Sequence, residues 1–136
     1  DPAVRARLKE RLTDQPQLSA RETKRLLTTW LFYVLIVERI TPKAGQEAVD
    51  RAVILISLAE IIVRWPALQR CLHQRIDNEY ALNILVRAMD DDLEWRWAVR
   101  KVGMDSPEGA KAVRQLRKLL QRYDGGSIAR HAERLM

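Results

Sequence analysis

Residues 19–37 read SARETKRLLTTWLFYVLIV, two polar and basic turns that run straight into an almost wholly apolar segment. Ser19 stands three residues before Glu22. This is the S-x-x-E capping box, in which the serine oxygen accepts from the N3 amide while the glutamate side chain accepts from the serine N–H. The pattern predicts a helix that starts at Ser19, runs to about Ile40 and is closed by TPKAG at 41–45. Arg21, Lys24, Arg25 and Thr28 fall at i, i+3, i+4 and i+7, so they share one side near the positive end of the helix dipole. Like charges bunched there are mildly unfavourable. Either Glu22 and nearby carboxylates relieve them at the solvated end of a buried helix, or they wait for an anion such as a nucleotide phosphate.

Working outward, Asp1 and Pro2 form an N-cap and N1 pair, and Val4, Leu8 and Leu12 recur every four residues, which predicts a helix to about Thr13. TDQPQ breaks it. Beyond TPKAG a third helix is expected from Gln46 to Arg64, apolar on nearly all sides and therefore central. Its core stretch, Ala52–Val63, contains Glu60 and is about half the length that a bilayer crossing needs. Pro66 predicts a break, followed by a short helix over ALQRCLHQRI. Further helices are expected in DNEYALNILVRAM, in DDDLEWRWAVRKVG with acidic caps, and in SPEGAKAVRQLRKLLQRY, ended by Asp124, Gly125 and Gly126, with a short tail helix after them. With no internal repeat and no strand pattern of convincing length, residues 1–136 read as one all-α domain, a single bundle of six to eight helices.

The chain has 136 residues, 47% of them apolar, enough for a real core. Its net charge of +6 attracts phosphate-bearing partners, but basic and acidic residues interleave in every segment, which disfavours a dedicated nucleic-acid binder. Cys71 is the only cysteine, so no intrachain disulfide forms; with no signal-peptide pattern at the start, the expected location is cytoplasmic. A chain that opens on Asp1 rather than methionine is expected to be a segment of a longer protein.

Gly-rich phosphate loops, the G-x-S-x-G elbow, H-E-x-x-H and C-x-x-C are all missing from the sequence, so no catalytic residue and no metal ligand is assigned and the segment reads as a non-enzyme. His73 and His131 have no ligand partner at helical spacing, and the DDD run at 90–92 reads as a cap. Trp95 and Trp97 flank Arg96, yet positions two apart lie about 200° apart around a helix, which places one indole in the core and one partly outside. Lys111, Arg114, Lys118 and Arg122 follow one face of their helix, opposite Val113, Leu116, Leu119 and Leu120. Trp95, Trp97 and these four cations are the candidate interaction surface.

The segment LSARETKRLLTTWLFYVL resembles the KAP family of P-loop NTPases, a STAND-like group in which P-R-x-x-K-R-[FL]-x-N opens a long helix behind the ATPase core. Arg21, Lys24, Arg25 and Leu26 match that pattern, while Ala20 replaces the proline and Thr28 stands where asparagine is usual. AEIIVRWPALQRCL is similar to the region that follows in that family, and the resemblance covers about residues 15–75. It implies a helical lid or effector-coupling module C-terminal to a core that carries the Walker motifs. ATP with magnesium would then be held by the parent protein and by no cofactor site in this segment. It also implies that Arg21, Lys24 and Arg25 sense phosphate, that the partners are other domains of the same chain or another protein, and that the parent couples ATP to bacterial signalling or defence. A free-standing protein-interaction domain is the alternative, followed by a basic nucleic-acid binder.

Overall fold

The computed structural model describes residues 1–14, 19–65, 70 and 74–135. Among them lie seven α-helices, one 3-10 turn and a two-residue-per-strand hairpin, so the fold is all-α as expected. The chain divides into two compact units, Asp1–Arg64 and Trp65–Arg134.

The first unit consists of α1 (Pro2–Asp14), α2 (Ala20–Ile40) and α3 (Gln46–Arg64), with α1 and α2 both packed on α3. Asp1 caps α1 by accepting from the Ala3 N–H at 2.7 Å. Both halves of the Ser19 capping box form: Ser19 Oγ accepts from the Glu22 N–H at 3.1 Å, and Glu22 Oε2 accepts from the Ser19 N–H at 3.4 Å. α3 carries the core, burying Leu55, Ile56, Leu58 and Ile61. Against its Ala59 and Val63 pack Leu26, Trp30 and Tyr33 of α2 and Leu12 of α1. Trp30 Nε1 donates to the Ala52 carbonyl at 2.9 Å, satisfying the one polar atom of its indole.

One carboxylate lies inside this apolar packing. Glu60, on α3, is 1% exposed and accepts two hydrogen bonds from Arg11 of α1, at 2.7 and 2.8 Å, with Arg64 3.5 Å from the same Oε1 that Arg11 Nη2 meets. A paired fork of this kind holds a buried charge where a lone ion would be expelled.

In the second unit, β1 (Arg75–Ile76) pairs antiparallel with β2 (Glu79–Tyr80), and α4 (Ala81–Ala88), α5 (Asp92–Lys101), α6 (Ala110–Arg122) and α7 (Gly125–Leu135) follow. The hairpin corrects the expectation of a helix through DNEY. Asp77 and Asn78 stand at φ 55° and 64°, left-handed positions that their short polar side chains tolerate and that a two-residue turn between strands requires, so the helix starts only at Ala81. The break expected at Pro66 and most of the expected helix ALQRCLHQRI, with Cys71 and His73, lie outside the described residues; Arg75 and Ile76 at its end are strand.

The acidic run caps as expected, with Asp91 Oδ1 accepting from the Glu94 N–H at 2.9 Å. α5 ends in a Schellman turn. Gly103, at φ 77°, lets its N–H reach the Arg100 carbonyl at 3.1 Å while the Met104 N–H reaches that of Val99 at 2.9 Å. The expected SPEG helix opens instead as a 3-10 turn, Pro107–Gly109, before α6. At the other end of α6, of the expected stop at Asp124, Gly125 and Gly126 only Asp124 serves as one, in the left-handed region at φ 56°. Those glycines already belong to α7. A Cβ on Gly125 would stand 2.9 Å from the Leu120 carbonyl oxygen, so the chain can reverse this tightly only with no side chain there.

Asp124 also begins α7: its carboxylate accepts from the Ser127 hydroxyl at 2.8 Å and from the Ser127 N–H at 3.2 Å. These two bonds, the hydroxyl's first, hold the Asp124 carboxyl below its ordinary pKa, with Arg130 adding a smaller effect against partial burial.

Two outcomes test this framework. Glu60→Gln should lower unfolding stability by about 3 kcal/mol in urea titration by removing the buried negative charge opposite the Arg11 guanidinium, whereas Arg11→Met with Glu60→Leu should recover most of that loss. Because Asp124 is depressed in the folded state, its contribution is complete above the unfolded carboxylate value and fades as pH falls through the lower folded one. Asp124→Asn caps comparably but does not titrate, so the thermal midpoints of wild type and variant should converge on acidification from neutral pH to about pH 3.

Candidate functional site

α2 has two faces of different fate. Leu26, Trp30, Tyr33 and Val37 form the seam turned to the first unit's core, and burial pushes the Tyr33 hydroxyl above its ordinary pKa. About 180° around the same helix lies a second stripe: Arg21, Lys24, Arg25 and Thr28, then Leu31, Phe32 and Leu35, then Arg39. The apolar part of it is uncovered. Leu31 is 53%, Phe32 60% and Leu35 66% exposed. Phe32, Leu35, Ile36, Glu38 and Arg39 line a shallow depression of about 490 Å³ on this face.

Arg21, Lys24 and Arg25 are all exposed at the basic end of that stripe. Among the described residues none of the three has an ion pair or a side-chain hydrogen bond, because Glu22, the carboxylate expected to relieve them, is turned back onto the Ser19 N–H. Thr28 is not available to an incoming anion in the same way, since its hydroxyl donates to the Lys24 carbonyl at 2.9 Å.

The second unit holds the other candidate residues. Trp95 is 7% exposed and Trp97 68%, the split that their spacing requires. The cation over the Trp95 ring is Arg117, 5.4 Å from the centroid, rather than the neighbouring Arg96; Lys101 covers Trp97 at 5.8 Å. Arg117 is further fixed by donating to the Met89 carbonyl at 2.8 Å and by pairing with Asp92 at 2.9 Å. Lys111, Arg114, Lys118 and Arg122 are exposed along α6 as predicted, and Arg122 lies over the Tyr123 ring at 5.1 Å. Leu93 and Trp97, one turn apart on α5, are both exposed.

His131 holds the Ser127 carbonyl through Nδ1 at 2.8 Å, a local bond within α7. Among the described residues no three His, Cys, Asp or Glu side chains converge on a point where a metal ion could sit, and no helix is long and apolar enough to cross a membrane.

Sequence patterning did not anticipate the uncovered Leu31, Phe32 and Leu35. An unbroken apolar run reads as buried on all sides, whereas the useful signal was that Trp30 and Tyr33 form one helical stripe and Phe32 and Leu35 another. No protein-family model, curated protein or solved structure matches the chain.

The double variant Arg21→Gln/Arg25→Gln removes two cations that hold nothing among the described residues. Its thermal unfolding should therefore shift by no more than about 0.5 kcal/mol equivalent relative to wild type. A large loss would make these side chains structural.

Proposed function

We propose that this chain is a non-catalytic helical coupling module that docks another protein segment along the outer face of α2. The observation that carries the reading is the continuity of one stripe: three cations with no partner among the described residues over the first turns, followed by Leu31, Phe32 and Leu35, each more than half exposed, directly opposite the buried seam. Large apolar side chains in one contiguous patch beside a charged border are how a soluble surface prepares for a partner. Charge complementarity defines the occupant as an amphipathic helix whose apolar side covers Phe32 and Leu35 and whose carboxylates reach Arg21, Lys24 and Arg25.

In the KAP-like switch that the α2 motif resembles, the occupant is a neighbouring domain of the same longer chain and the module is its helical lid. ATP with magnesium then belongs to that neighbouring core, and Arg21 or Arg25 meets a phosphate only in the closed arrangement. The basic face of α6 is less suited to be the principal contact. It presents no exposed apolar anchor among its cations, and an interface without one depends on salt-screened charge alone.

The test uses fluorescence anisotropy with a labelled synthetic helical peptide that carries leucines at every third and fourth position and glutamates over one end, beside a twin with lysines in place of the glutamates. The glutamate peptide should bind saturably and weaken with added salt. Phe32→Ser/Leu35→Ser should abolish binding at an unchanged thermal midpoint, and Arg21→Gln/Arg25→Gln should reduce it. Equal binding of both peptides, or binding indifferent to these substitutions, would remove the proposal.

A further inference from the structure

Between α5 and α6 lies a cavity of about 580 Å³, within the size range of small-molecule sites. Its charged lining is four arginines, Arg96, Arg100, Arg114 and Arg117, and two aspartates, Asp92 and Asp105, a surplus of two positive charges. The six do not play equal parts. Arg117 and Asp92 are already paired with each other, and Arg117 is held against Trp95 and the Met89 carbonyl, so this pair forms a rigid wall. Arg96 and Arg100, one turn apart on α5, and Arg114, facing from α6, are exposed and have no hydrogen-bond or ion-pair partner among the described residues.

The floor is apolar. Trp95, Val99, Met104 and Val113 are all buried and all line the cavity. The Schellman turn at Gly103 brings Met104 back toward Val99 and sets Asp105 and Ser106 at the rim, just before the 3-10 turn that leads into α6. Asp105 opposes an anion at its own edge of the cavity but accepts from a hydroxyl or amino group.

We propose that this cavity is a binding site for a small organic phosphate monoester: a phosphate gripped by Arg96, Arg100 and Arg114, an apolar or aromatic body resting on Trp95, Val99 and Met104, and a donor group reaching Asp105. A monoester at neutral pH carries between one and two negative charges, matching the surplus of two. Guanidinium forks suit its oxygens better than ammonium groups do. A long polyanion matches less well, because the two aspartates in the lining interrupt any continuous positive track. The site lies wholly in the second unit and stands or falls independently of the α2 face.

The experiment titrates the full chain with 1-naphthyl phosphate, followed by calorimetry and by amide and indole NMR shifts. Saturable binding is expected, with shifts concentrated at Trp95, Val99, Met104 and Ser106. Inorganic phosphate should bind more weakly because it leaves the floor uncovered. Arg100→Gln and Arg114→Gln should each weaken the naphthyl phosphate by about tenfold, the usual scale for a charged hydrogen bond, and Arg114→Lys should fall between. Lys111→Gln/Lys118→Gln removes two charges from α6 outside the cavity lining and should change affinity by less than about twofold, since exposed charges act there only through a screened field. Absence of saturation, shifts scattered away from the cavity in the wild-type protein, or losses as large in the lysine variant would overturn the assignment. So would tighter binding of a single-stranded oligonucleotide with the same arginine dependence.

Discussion

The first unit is organised around the need to neutralise one carboxylate. α3 is the helix on which α1 and α2 pack, and a helix buried so widely would be free to slide or rotate against apolar neighbours. Glu60 removes that freedom. A charge at 1% exposure is tolerable only with its cation in place, and the two hydrogen bonds to Arg11 have a direction that methyl packing lacks. The pair therefore sets the register of α1 on α3 as well as holding the two together. Trp30, donating to Ala52, does the same for α2 through a neutral bond.

Arg117 has the corresponding part in the second unit. Its guanidinium meets a backbone carbonyl after α4, a carboxylate on α5 and an indole face at once, and Gln121, one turn along, donates to the same Met89 carbonyl at 2.7 Å. A carbonyl after α4 and two side chains of α5 thus converge on one side chain of α6. Having fixed one wall between α5 and α6 in this way, the unit leaves Arg96, Arg100 and Arg114 along the gap with no partner among the described residues. Charge used for architecture and charge left available stand side by side, and only the partners of each side chain distinguish them.

How much of this could be read from the sequence follows the range of each interaction. The ends of α2 and α3, the Asp91 cap and the opposite fates of Trp95 and Trp97 rest on neighbours within four residues, and all were legible. The Asp77–Asn78 turn was equally local but was read into the start of the helix that follows, because short polar side chains also occur at helix starts. Gly125 and Gly126 read as a helix stop, although the close approach to Leu120 makes the first of them a condition for the next helix. The Arg11–Glu60 pair spans 49 positions, and nothing in either local segment marks it. The same holds for the candidate sites. The Arg21, Lys24 and Arg25 cluster was visible as a spacing, but the exposure of Phe32 and Leu35, and the meeting of Arg96 and Arg100 with Arg114, depend on which helix faces which.

Asp124 joins two elements that are usually independent. Its backbone, in the left-handed region, ends α6, while its carboxylate secures the first turn of α7. Most helices fray from their ends into separate loops, so that each end opens on its own free-energy scale. Here the loosened end of one helix and the loosened start of the next are the same residue. Opening of one terminus therefore draws on the other, and the amide hydrogens of the last turn of α6 and the first turn of α7 should exchange together.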